Sequence, residues 1–111
     1  MGQFQSGSIV LIAFPFSDER VSKRRPALVL LDANDDDLLV AGVTSQASQH
    51  RFDVALSDWE HEGLLLPSIV RVHKIAAIEK GLVERTLGML SENDSARVRA
   101  VVHSIMSEML T

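Results

Sequence analysis

Lys23-Arg24-Arg25-Pro26-Ala27-Leu28-Val29-Leu30 is the stretch whose reading decides the fold. A basic triplet runs into a proline, and the proline opens an apolar run. Proline lacks an N–H and fixes its own φ, so it suits the first residue of a strand. It also biases Arg25 towards extended backbone. Ala27 to Leu31 then reads as a short buried strand. The pattern predicts an arginine held at the mouth of a strand that is anchored in a core. A plain strand start flanked by solvated cations accounts for the same residues.

Working outward, Ser8 to Phe14 is apolar and rich in β-branched residues, which predicts a strand buried on both faces, with Gly7 before it and Pro15 after it. Phe16 to Arg25 reads as a long polar loop, and long loops in compact domains often carry function. After the Ala27–Leu31 strand, Asp32 to Asp37 is a turn, because three adjacent acids would repel one another in a strand. Leu38 to Thr44 is the third strand. Phe52 to Leu56 alternates, with Phe52, Val54 and Leu56 on one face, so it reads as half-exposed. Ser57 to Pro67 is irregular. Ser68 to Ile78 is a strand with Val70 and Val72 facing one way and Arg71 and His73 the other. A turn at Glu79–Gly81 leads to a strand over Leu82 to Leu90. Ser91 and Asp94 form a capping box, and Val98, Val101, Val102, Ile105, Met106 and Met109 follow at helical spacing. That stripe is core or a subunit contact.

No helix separates the strands, so a parallel α/β sheet is excluded in favour of a mainly β (β plus α) fold. The expected architecture is a small, strongly bent barrel or sheet of mostly antiparallel strands with a C-terminal helix against it. The chain has 111 residues, which predicts a single domain over 1–111 with one core. It has no cysteine, which excludes disulfides and thiolate metal sites and suits a reducing, cytoplasmic setting. No secretory leader or membrane-length apolar run is read in it. A net charge of −4 argues against a protein that coats nucleic acid non-specifically, but the clustering of Lys23, Arg24 and Arg25 permits a local basic groove.

His50, His61, His73 and His103 are scattered and fit no metal-binding spacing, so no metal and no cofactor is expected. There is no phosphate-binding glycine loop and no nucleophile elbow. What remains is a set of polar residues at strand ends: Arg25, then Thr44 and Ser45, then Arg71 and His73. A guanidinium stays charged and offers five fixed donors, which suits a phosphate whose charge builds during reaction. A threonine hydroxyl donates to the same phosphate or orients a nucleophile. Together they fit metal-free phosphoryl transfer within RNA, with the 2′-OH as built-in nucleophile. Surface salt bridges are the other reading of the same arginines.

Taken in order, Gly7-Ser8-Ile9-Val10, Phe14-Pro15-Phe16-Ser17, the Lys23–Leu30 stretch, Val43-Thr44-Ser45-Gln46, Gly63-Leu64, Ser68–Lys74 and Gly88-Met89-Leu90-Ser91 resemble the MazF/PemK-type toxins of type II toxin-antitoxin systems. The resemblance spans about residues 7 to 110. It implies an SH3-like barrel with a C-terminal helix, a homodimer, and a sequence-specific, metal-independent endoribonuclease that cuts single-stranded mRNA and is restrained by a cognate antitoxin. The family's catalytic arginine matches Arg25 and its hydroxyl residue matches Thr44. RNA contacts are implied at Ser17, Lys23, Arg24, Ser45, Gln46, Arg71 and His73. Some members pair an arginine with a carboxylate two residues on; here His73 stands in the carboxylate's place. Better-known members also carry a Gly, then Ser or His, then Glu-Gln in the first loop, where this chain has Ser17-Asp18-Glu19-Arg20-Val21-Ser22. A binding protein of the same fold without nuclease activity, either a gyrase poison or an inactive antitoxin-holding regulator, is the alternative.

Overall fold

A computed structural model describes residues 3–15 and 22–111. Six strands precede one helix: β1 Ser8–Pro15, β2 Ser22–Asp32, β3 Asp37–Thr44, β4 Asp53–Ala55, β5 Ile69–Glu79, β6 Val83–Met89 and α1 Glu92–Glu108. They form one sheet in the order β4-β5-β3-β2-β1-β6, with every neighbouring pair antiparallel. A single 3-10 turn, Lys80–Leu82, links β5 to β6. Register shifts between β1 and β6, β2 and β3, and β3 and β5 bend the sheet into the expected open barrel.

The bend divides the apolar residues by face. Val10, Ile12, Ala27, Val29, Leu38, Val40 and Ile78 form one buried cluster, closed by Phe4, Leu82 and Val83. Ile9, Leu28, Ala41, Val43, Val54, Val70, Val72 and Val98 belong to the other, which α1 covers through Val101, Val102 and Ile105. Consecutive strand residues enter opposite clusters, which is why β1 to β3 read as unbroken apolar runs. α1 starts where the capping box places it, with the Ser91 hydroxyl accepting from the Asp94 N–H.

Two expectations are corrected. Pro26 does not open its strand. β2 begins at Ser22, and Lys23, Arg24, Arg25 and Pro26 pair with Phe14, Ala13, Ile12 and Leu11 of β1. β3 joins the other side of β2 only from Ala27 onward, so that side is an unpaired edge where a proline is tolerated. The apolar stripe of α1 also ends earlier than its spacing suggests. Met106 and Met109 are 62 % and 59 % exposed, and Ile105 is the last residue of the stripe packed on the core.

The 57–66 connection is pinned by two glycines. Gly63 has φ of +90°, and a Cβ there would overlap the Leu87 carbonyl. A Cβ on Gly88 would overlap the Glu62 carbonyl in turn. Backbone therefore lies against backbone between this loop and β6, an approach no larger residue permits.

Candidate functional site

β1 is the axis of the site, since β2 and β6 flank it. Leu11 pairs with Pro26 on one side and Arg85 on the other, so one row across three strands reads Arg85, Leu11, Pro26. The Gly63–Gly88 contact brings Leu64, Leu65 and Leu66 over the same end of the sheet. The result is a cleft of about 740 Å³. It is lined by Lys23, Arg24, Arg25 and Pro26 from β2, by Val43 to Gln46 from the end of β3, by Gly63 to Leu66, and by Arg85 to Leu87 from β6.

Its charge is one-sided. Four cations line the cleft, Lys23, Arg24, Arg25 and Arg85, and no acidic residue does among the described residues. This local excess occurs in a chain of net charge −4. Arg24 is held from outside by Glu84, Nε to Oε1 at 2.7 Å. Arg25 is exposed and makes no ion pair among the described residues.

The cleft brings the two leading sequence candidates together. Arg25 lines it from the part of β2 that precedes the pairing with β3, and Thr44 from the end of β3, where it pairs with Ile69 of β5. The Thr44 hydroxyl accepts the Gln46 N–H at 3.1 Å, which fixes the oxygen and leaves its own hydrogen to donate. Ser45 and Gln46 are exposed beside it at the cleft wall. Ser17 lies outside the described residues.

Arg71 and His73 do not line the cleft. Arg71 pairs with Gly42 on β3 and with Asp53 on β4, one row along from the pairing of Thr44 with Ile69. Its Nε lies 3.5 Å from Asp53 Oδ1. His73 sits where β5 carries extra residues opposite Ala41 and Gly42, and its ring stacks on His50 with centroids 4.0 Å apart. Burial, with the nearby His50, Lys74 and Arg71, pushes the His73 imidazole below its ordinary value, against the pull of Asp53. That favours its neutral form. Burial would raise the Asp53 carboxyl, but hydrogen bonds from the Ser48 hydroxyl and the His50 N–H, together with Arg71, hold it below the usual range.

Arg85, Thr86 and Asp53 were not singled out from sequence. Arg85 and Thr86 alternate along an ordinary-looking strand, and only the pairing of β6 with β1 sets them opposite the basic triplet. Asp53 gains meaning from its pairing with Arg71. Chemically, the cleft can hold an extended polyanion, with a held hydroxyl, Thr44, and Arg25, unpaired among the described residues, on its lining.

A family profile described as PemK-like, MazF-like toxin of type II toxin-antitoxin system matches residues 5–106. Among solved structures, an endoribonuclease in complex with its cognate antitoxin from a mycobacterial species superposes with a TM-score of 0.76 at 13 % identity, covering 98 % of this chain and 100 % of that one. MazE-MazF from Deinococcus radiodurans gives 0.75 at 25 % identity, covering 93 % and 95 %. The Mycobacterium tuberculosis toxin MazF-mt6 gives 0.70 at 18 % identity, covering 88 % and 96 %. The comparison with curated proteins finds no match.

Proposed function

The chain belongs to the PemK-like, MazF-like toxin family of type II toxin-antitoxin systems, and from that membership we propose that it is an endoribonuclease that cuts single-stranded RNA in the cleft between β2, β3 and β6. The observation that carries the reading is the cleft itself: four cations, no acid among the described residues, and both Arg25 and Thr44 on its lining. RNA must approach a locally positive surface, and here the cations are concentrated on one wall of an acidic protein. Arg25 binds the scissile phosphate and neutralises the charge that builds on it as the 2′-OH attacks. Thr44 donates its hydroxyl to the same phosphate, its oxygen steadied by Gln46. Lys23, Arg24, Ser45, Gln46 and Arg85 hold the flanking backbone and bases, with Ser17 contributing from the first loop. Arg71 and His73 extend the face beyond the scissile position.

The reaction is a transesterification. The 2′-oxygen bonds to phosphorus, the bond to the 5′-oxygen of the next nucleotide breaks, and that oxygen leaves with a proton. The upstream product ends in a 2′,3′-cyclic phosphate or its hydrolysed form, and no metal is needed. A cognate antitoxin restrains the enzyme; in support, the mycobacterial endoribonuclease is in complex with its own cognate antitoxin. A homodimer is the working assembly. Support for it comes from Leu31, Leu39 and Ile75, which are 50 %, 37 % and 41 % exposed on the adjoining strands β2, β3 and β5. Incubation of the pure protein with mixed-sequence RNA in EDTA tests the function. Cleavage leaving cyclic-phosphate ends is expected; an intact RNA pool would move the assignment to a binding protein of the same fold.

A further inference from the structure

We propose that Glu84, which is not part of the cleft lining, positions Arg24 so that its guanidinium presents the two terminal nitrogens to one phosphate of the bound strand. The role rests on the RNA reading of the cleft and adds a positioning residue to it. Arg24 lies on β2 and Glu84 on β6, with β1 between them. Sixty residues of sequence separate the two, yet Arg24 Nε donates to Glu84 Oε1 at 2.7 Å.

The strands are arranged for this reach. Arg24 pairs with Ala13 of β1, so both side chains stand on one face, and the alanine is small enough for the arginine stem to cross β1. On the far side Leu11 pairs with Arg85 and Ile12 with Val83, which makes Glu84 the extra residue of a bulge. Bulges re-aim a side chain and recur beside functional sites. The fold does not need the pair. β2 and β6 are each already laddered to β1, and an ion pair whose side chains are 57 % and 35 % exposed adds little to stability.

Of the four cations that line the cleft, Arg24 alone has an acidic partner among the described residues. The charge of that carboxylate opposes a polyanion, so its use lies in geometry. A guanidinium can hold an anion on either of two edges, one made by Nε and a terminal nitrogen, the other by the two terminal nitrogens. Glu84 takes the Nε side. Nη1 and Nη2 make no hydrogen bond among the described residues, and theirs is the edge left for a phosphate. An arginine already tethered at Nε has less side-chain freedom to lose when the strand binds.

The probe is a mixed-sequence 2′-O-methyl RNA oligonucleotide, which has no free 2′-OH and is not cut. Its binding to the full chain is read by fluorescence anisotropy over a range of salt concentrations. Glu84→Ala removes a negative charge, yet it should weaken binding by roughly 2–12-fold, the equivalent of freeing one rotamer-rich side chain. Glu84→Gln keeps an acceptor for Nε without the charge and should bind at least as tightly as the parent. Arg24→Ala should lower the slope of log Kd against log salt by about 0.7, one phosphate contact on a single strand. In the Arg24→Ala background, Glu84→Ala should no longer weaken binding. Both residues are exposed, so every variant should melt with the parent. A folded Glu84→Ala that binds as tightly as the parent or tighter, or that weakens binding equally without Arg24, overturns the role and leaves the RNA site standing. A parent that neither binds the probe nor cleaves natural RNA removes the site and the role with it.

Discussion

Glu62→Gln should remove a large part of the fall in stability between pH 5 and pH 8. Glu62 is 1 % exposed in the loop that forms the cleft wall, and its Oε2 accepts the Ser91 N–H at 2.8 Å. Asp94, fully buried beside it, accepts the Ser57 and Asp58 N–H groups at 3.0 Å and Arg97 at 2.9 Å. Two adjoining buried carboxyls cannot both ionise cheaply. Asp94 holds the charge, because its donors outweigh its burial. Burial pushes Glu62 up to about 7, with Asp94 reinforcing the rise and the Ser91 N–H opposing it. A carboxyl with a raised folded-state pKa binds its proton more tightly in the fold than in the unfolded chain. Its contribution is therefore complete below pH 4.5 and lost as the pH climbs through 7. The loss is on the order of 3 kcal/mol. Glutamine keeps an acceptor for Ser91 and offers Asp94 a permanent donor. Melting followed by circular dichroism should show parent and variant alike at pH 5. At pH 8 the variant should melt on the order of 10 °C higher, at about 4 °C per kcal/mol for a domain of this size. Asp94 and His73 also titrate, but both remain in the variant and cancel in the difference. An equal gap between the two proteins at both pH values would refute the shared proton.

Arg25→Ala and Thr44→Ala should each reduce RNA cleavage by about a hundredfold, as for loss of a transition-state donor, and Arg25→Lys should recover part of it, since an ammonium keeps the charge without the fork; full cleavage by a folded double mutant would remove both from the chemistry. Ile105→Asp, placing a carboxylate against the α1 side of the core, should destabilise the fold by on the order of 3 kcal/mol, read as a lower urea midpoint. Gly88→Ala drives a methyl into the Glu62 carbonyl and should cost roughly 1–3 kcal/mol while displacing the cleft wall, so that RNA cleavage falls in a chain that still folds. Sedimentation equilibrium at micromolar concentration should give twice the 12.2 kDa chain mass, and a clean monomer would end the homodimer reading.

The strands of this protein are written locally. Ile9 to Ile12, Ala27 to Leu30 and Leu38 to Val43 are apolar without interruption because each side of the bent sheet meets its own cluster, and that demand shows in a window of a few residues. The Ser91 cap is equally local, since donor and acceptor lie three residues apart. Arg25 and Thr44 were legible as types at strand ends, and their order along the chain carried the family. Their meeting in one cleft was not legible, because it depends on how the strands are ordered in the sheet, and the strand boundary itself ran past Pro26 once β1 supplied a partner. Arg85 became part of the cleft only when β6 closed on β1. Asp53 acquired Arg71, and His50 met His73, through the pairing of β4 with β5 and the extra residues on β5 opposite β3. Glu62 comes to be buried beside Asp94, with its carboxyl pushed up, where two glycines let backbone touch backbone. Burial periodicity and capping are short-range and survive in sequence. Charge pairing and the coupling of buried carboxyls are set by distances between elements far apart in sequence, and those exist only after the chain has closed on itself.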